Sequence, residues 1–322
     1  MRIAALLLVL VLAACDTASP PPVTDVEPRV AFSALSADHS AVSLYVSDGA
    51  SVATEILSTA ELAASGGGLS GTFGSVAWSP DGRALAFEVT RDGGSGVGVR
   101  DADGSVRVVT DLASGTSRPR WSPSGDLLLV DRTQPASGPV GTFAVAADGS
   151  GALECVVCEA RPLQFGEPVA VTGEIQWGRT DDELVIAIAD PFVIVLQPDA
   201  HPAHVYRVDR ATRQPAQRLT IDPIEGAAFT LAPGGTSVAF TRSREDTREL
   251  YVVRPVGGVP ARVALGGDVE RYGWGRDGRL WHVRGPDLDL ASLRVYAPAS
   301  RASGALAVGY GEVYGADIVS AD

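Results

Sequence analysis

Short apolar runs alternate with Gly-, Pro- and Asp-rich turns along most of this chain, and one such alternation recurs. A run ending in Trp meets a tight turn and then a second apolar run. It reads Val76-Ala77-Trp78-Ser79-Pro80-Asp81-Gly82-Arg83-Ala84-Leu85-Ala86-Phe87 in its fullest form. Further copies begin at Trp121, Trp177, Leu231 and Trp274, at intervals of 43, 56, 54 and 43 residues. Runs this short, bounded by turn residues, predict strands. Pro presets φ for the turn and Gly supplies its left-handed position.

A second landmark follows each first one. In the best copy Ser75 to Ser79 is expected as an innermost strand, Ala84 to Val89 as the second, Gly96 to Asp101 as the third and Val106 to Thr110 as the fourth. Asp103-Gly104 joins the last two, a strong hairpin signal. Third-strand runs recur as Leu44 to Gly49, Phe143 to Gly149, Val205 to Asp209 and Leu250 to Pro255. A repeat of this length buries its faces only against neighbouring copies, so the expected fold is all-β, a propeller of four-stranded blades.

The five anchors average 49 residues, and residues 29–322 hold six such units. Six blades is the expected count and seven the alternative. Arg29 to Leu35 aligns with a second strand, while the segment before it is Pro-rich and unsuited to a ladder. The missing innermost strand of the first blade is therefore expected from Val313 to Val319, at the C-terminus.

Trp78 to Phe87, with the Tyr-Val strands that end in Asp-Gly, resemble the bacterial TolB-type repeat, a WD40-like (PD40) propeller motif. The resemblance covers nearly all of the chain after residue 28. It departs at the acidic turn Asp181-Asp182-Glu183 and at Leu231, where Trp is expected. It implies a non-catalytic envelope protein that binds another protein.

The start of the chain predicts a destination. Met1-Arg2 and the apolar run Ile3 to Ala14 have the layout of a secretory signal. Leu12-Ala13-Ala14-Cys15 resembles the bacterial lipobox, so residues 1–14 are expected as a lipoprotein signal peptide and Cys15 as the acylated residue. Residues 15–28 then form a Pro-rich tether and residues 29–322 a single propeller domain. The protein is expected to be exported and lipid-anchored in the bacterial cell envelope through Cys15, with the propeller on the periplasmic side.

Composition narrows the partners. The chain carries 26 basic residues, all Arg, against 39 acidic ones, for a net charge of −13. Nucleic acid and anionic lipid surfaces are poor partners for it. Outside the cytoplasm Cys155 and Cys158 are expected to pair. Residues three apart in a straight strand lie ~10 Å apart, beyond the ~7 Å bridging limit, so pairing requires a turn there. Two free thiols, or redox or metal chemistry, are the other readings.

Binding is expected where the repeat is broken, because loops on a rigid scaffold commonly carry recognition. Two stretches exceed the basic blade: Glu159 to Glu174 and Asp190 to Pro202. The resemblance to this propeller family implies that both connections emerge on one face. Asp190, Phe192, Asp199, His201 and His204 are the candidate binding residues there, with Phe192 to Leu196 as an apolar ridge or extra strand. A polar loop without ligand is the plainer reading.

Other motifs fail on their chemistry. Gly66 to Gly74 lacks the Lys-Ser/Thr ending of a phosphate loop. The Asp-Gly turns lack the spaced acidic series of a calcium loop. No Gly-x-Ser-x-Gly elbow occurs, and the absence of Asn argues against a lactonase site built on Asn and carboxylates. No cofactor or metal is expected. The alternative to a protein-binding module is a small-ligand or metal-binding, lactonase-like hydrolase that uses the central channel.

Overall fold

The computed structural model describes residues 28–35, 41–47, 53–65, 69–133, 138–159, 162–164, 171–189, 202–220, 224–225, 228–244, 247–254, 258–263, 269–275, 278–284, 291–297, 302–310 and 313–320. They build six antiparallel sheets in a ring.

Blade one contains β1 (Pro28–Leu35), β2 (Val42–Ser47) and β3 (Thr54–Ser58), followed by the short helix α1 (Thr59–Ala64). Ser58 and Glu61 close that helix reciprocally as a capping box, and Leu62 is its buried anchor. Blade two is β4 (Thr72–Trp78), β5 (Leu85–Arg91), β6 (Gly94–Arg100) and β7 (Val106–Thr110). Blade three is β8 (Thr116–Trp121), β9 (Leu127–Arg132), β10 (Gly141–Ala146) and β11 (Glu154–Cys158).

Blade four is β12 (Val171–Trp177), β13 (Glu183–Ala189), β14 (Pro202–Asp209) and β15 (Pro215–Arg218), with an added two-residue strand β16 (Ile224–Glu225) beside β14. Blade five is β17 (Phe229–Leu231), β18 (Val238–Arg244), β19 (Thr247–Val253) and β20 (Ala261–Arg262). Blade six is β21 (Val269–Trp274), β22 (Leu280–Arg284), β23 (Ala291–Ala297) and β24 (Ala302–Tyr310). The last strand, β25 (Val313–Ser320), pairs antiparallel with β1 and completes blade one from the C-terminal side, as the end alignment predicts.

The landmark residue takes one register in every blade. Trp78 faces Leu85, Trp121 faces Leu128, Trp177 faces Leu184 and Trp274 faces Leu280 across the first two strands. Leu231 faces Val238 in the same way, which settles the register of the divergent copy. Ile318 faces Val30 and holds the sixth landmark position, where no Trp marks it. Turn hydrogen bonds repeat as well: Ser79 N donates to Ala84 O (2.8 Å), Ser122 N to Leu127 O (2.8 Å) and Ala232 N to Ser237 O (2.8 Å). Gly82 sits at φ 68° in its turn, the left-handed region that favours glycine.

Period-2 alternation sends each strand's side chains to two different interfaces. On β5, Leu85, Phe87 and Val89 enter a cluster with Ala31 and Leu44 of blade one, while Ala86 enters one with Trp121 and Val130 of blade three. Six such clusters lie one between each pair of neighbouring sheets. The core is thus a ring of inter-blade layers, and burying it requires closure.

Candidate functional site

The inner strands follow one another around the axis as β25, β4, β8, β12, β17 and β21, and β21 meets β25 again. They enclose a channel of about 540 Å³. That volume lies within the ~300–1,000 Å³ of ligand sites.

Five inner strands carry a register shift at the same end. The shifts fall between Phe73 and Val76, Ser117 and Arg120, Val171 and Ile175, Val269 and Arg271, and opposite Ser33 and Ala34 in β25. A bulge bends its strand and re-aims the side chains around it. This end opens into a hollow of about 700 Å³, whose wall includes Ser75, Glu88, Arg91, Asp92, Arg118 and Arg271. Inner strands begin and second strands end on this face, the one expected to carry the two extensions.

Arg118 stands at the mouth. Its φ is 49°, uncommon for a residue with a side chain, and it stands beside the bulge at Pro119. Its backbone N donates to Glu88 Oε2 at 3.2 Å, and its Nε lies 3.2 Å from Asp131 Oδ2. Arg120 grips the same carboxylate with both terminal nitrogens, at 2.9 and 2.7 Å, and Thr142 Oγ1 donates to it at 2.9 Å. Burial pushes the Asp131 carboxyl up, but the charge and hydrogen bonds of Arg120, then Arg118 and the Thr142 hydroxyl, outweigh it and hold it below the usual range.

Of the other wall carboxylates, Asp92 is exposed and lies 3.1 Å from Arg91 Nε, while Asp317 and Glu88 are engaged structurally. Asp317 Oδ2 accepts from Trp78 N at 2.7 Å and ties β25 to β4. Glu88 Oε2 also accepts from Ser75 N at 3.4 Å. Gln176 ties β12 to β17 in the same manner, accepting from Leu231 N (3.0 Å) and donating to Phe229 O (2.8 Å).

Cys15 and the candidate residues Asp190, Phe192, Asp199 and His201 lie outside the described residues. His204 belongs to β14 rather than to the preceding loop: it pairs with Ile188, and its ring meets Tyr206 edge-on at 6.5 Å. Of the first extension, Leu163 is buried and Gln164 N donates to Arg213 O at 3.0 Å, against the outer turn of blade four. Cys155 and Cys158 are joined by a disulfide with their Cα atoms 6.1 Å apart. Both lie within β11, and the shortening comes from a bulge at Val156 rather than from a turn. The acidic Asp181 receives Ser124 N (3.1 Å) and Ser124 Oγ (2.6 Å), latching two neighbouring turns.

Sequence reasoning missed the channel arginines. The available signal is Ser117-Arg118-Pro119-Arg120, since Pro inside an inner strand marks a bulge.

No family model matches the chain. Its fold is similar to that of TolB from Acinetobacter baumannii, with a TM-score of 0.68 and 16% identity over 91% of this chain and 67% of that one. A protein described as TolB from Agrobacterium tumefaciens gives 0.57 and 14% over 92% and 99%. A chain of a nidogen/laminin complex gives 0.60 and 9% over 92% and 100%. The architecture is therefore a TolB-like six-bladed propeller; at these identities the likeness concerns the fold. A stretch of 55 residues is 44% identical to a Bacillus subtilis protein named uncharacterized peptidase YuxL, covering 16% of this chain and only 8% of that protein.

Proposed function

We propose that this chain is a lipid-anchored envelope propeller that binds a partner protein, without catalysis, at the bulged mouth of its channel. One observation carries the reading. Asp131 has both oxygens on arginines and the Thr142 hydroxyl, and Asp317 and Glu88 each give one oxygen to backbone N–H groups. A carboxylate so engaged is poorly placed to serve as a general base. What the wall presents instead is a rigid, polar, concave rim. The likeness to TolB supports a binding role by analogy of fold.

In this reading Cys15 carries the acyl chains, residues 16–28 hold the propeller off the bilayer, and the partner is an envelope protein. Carbodiimide coupling in intact cells tests it, because the reagent joins carboxylates to amines and this chain has 39 acidic residues and no Lys. One recurrent envelope protein in the coupled product is expected. Its absence across several coupling conditions would overturn the reading.

A second reading, a small-ligand or metal-binding hydrolase using the channel, draws on the short match to a protein named as a peptidase. Bound metal in the purified protein, with hydrolytic activity lost on chelation, would favour it over the first.

A further inference from the structure

The chain enters its propeller on the face opposite the mouth. β1 is the second strand of its blade, and second strands begin where the turns after the landmark residues lie. Pro28, the first residue of β1, pairs with Ser320, just beyond the landmark position at Ile318. Arg29 pairs with Val319, and its guanidinium stands 4.9 Å from the centre of the Trp78 ring. A cation over an indole face is attracted by the ring. The entry point is thus fastened to blades one and two, one strand outward from the channel.

Chain length turns this entry point into an orientation. Thirteen peptide steps separate Cys15 from Pro28, and fully extended they span at most ~45 Å. With the landmark face toward the bilayer, none of that reach is needed to pass the domain. With the mouth toward the bilayer, the same stretch must first cross β2 and β3, two strand spacings of ~4.8 Å each. It must then descend a sheet whose seven-residue inner strand β4 is ~23 Å long. That path takes about 33 Å before any turn or side chain is passed. Most of the reach is consumed, and a chain held near full extension loses conformational entropy.

We propose that the propeller stands with its landmark face toward the bilayer that holds Cys15 and its mouth turned away from it. The partner then meets the mouth from the aqueous side, and is a protein carried in that space rather than one embedded in the same bilayer. This rests on the anchored, protein-binding reading above and adds the direction from which the partner comes. No adhesion of the face to lipid is required, in keeping with the chain's net charge of −13.

Energy transfer to the membrane tests it, with the full-length acylated protein in phosphatidylcholine vesicles that contain a headgroup-labelled acceptor lipid. A fluorescent amino acid is placed at Ala102, exposed in the turn between β6 and β7 on the landmark face, or at Thr90, exposed at the mouth end of β5. Both belong to blade two. Thr90 faces Ser95 while Leu85 faces Arg100, so the two positions differ in height by about 20 Å. Over that height, transfer from position 102 is expected to be about twofold or more that from position 90. Equal transfer, or more from position 90, in protein that floats with the vesicles would overturn this inference alone. Failure to float with the vesicles would overturn the anchor reading and this inference with it. The partner captured by carbodiimide is expected in the soluble fraction of uncoupled cells; an integral membrane protein would overturn the direction of approach and leave the protein-binding reading standing.

Discussion

Trp121, Trp177 and Trp274 give their indole N–H to the carbonyls of Ala77 (2.9 Å), Arg120 (3.0 Å) and Thr230 (3.2 Å). Each acceptor stands one residue before the landmark of the preceding blade, so every such ring both fills a seam and fastens it. Trp177→Phe keeps most of the apolar area and removes the donor. It is expected to cost about 1 kcal/mol, which calorimetry would read as a melt ~2–4 °C lower; an unchanged melt would contradict the seam role. Asp131 makes a sharper case. A carboxyl depressed in the folded state stabilises the fold above its unfolded value of ~3.9, and that contribution is lost as pH falls through the folded value. Asp131→Asn is therefore expected to lose about 3–5 kcal/mol at neutral pH by leaving two arginines without their counter-charge. It should also flatten the acid limb of the stability curve below pH ~4. Denaturant unfolding across pH measures both effects.

At the scale of elements, closure and the bulges decide the structure. β25 supplies the inner strand of blade one, so removing residues 313–322 exposes the edge of β1 and opens the seams that Asp317 and Ala316 help to close. The truncated protein is expected to melt about 10 °C or more below the full chain; a melt within ~2 °C would contradict closure. The disulfide within β11 closes a very short loop, so Cys158→Ser is expected to cost only about 2 kcal/mol, measured by equilibrium unfolding with and without reductant. Strand content and blade count were legible because Trp-Ser-Pro-Asp-Gly marks both the end of one strand and the turn to the next. Ile318 escaped notice as the sixth landmark because its register comes from pairing with Val30, a partner almost the whole chain away. The bulge at Val156 was equally hidden, since two valines between cysteines read as plain strand.

The whole molecule brings together what the sequence separates. Arg118, Arg179 and Arg271 come from blades three, four and six and meet around one axis. Their convergence follows from ring closure, which no local pattern encodes; only Pro119 hinted at an irregular inner strand. Broken repeats pointed to the extensions, and the bulges lie at the end of the sheets where the strands flanking the second extension stop and start, at Ala189 and Pro202. The proposed anchor belongs to this scale too: mass spectrometry of the mature N-terminus is expected to find Cys15 carrying diacylglycerol, and an unmodified thiol there would refute tethering. The central claim is that a partner docks at the bulged mouth. Its most direct test is a photoreactive residue placed at Thr90, on the exposed wall of that mouth, and separately at Gln217, on the exposed outer strand of blade four. Irradiation of intact cells is expected to cross-link one envelope protein from position 90 and not from position 217. Cross-linking from 217 alone, or from neither position, would contradict it.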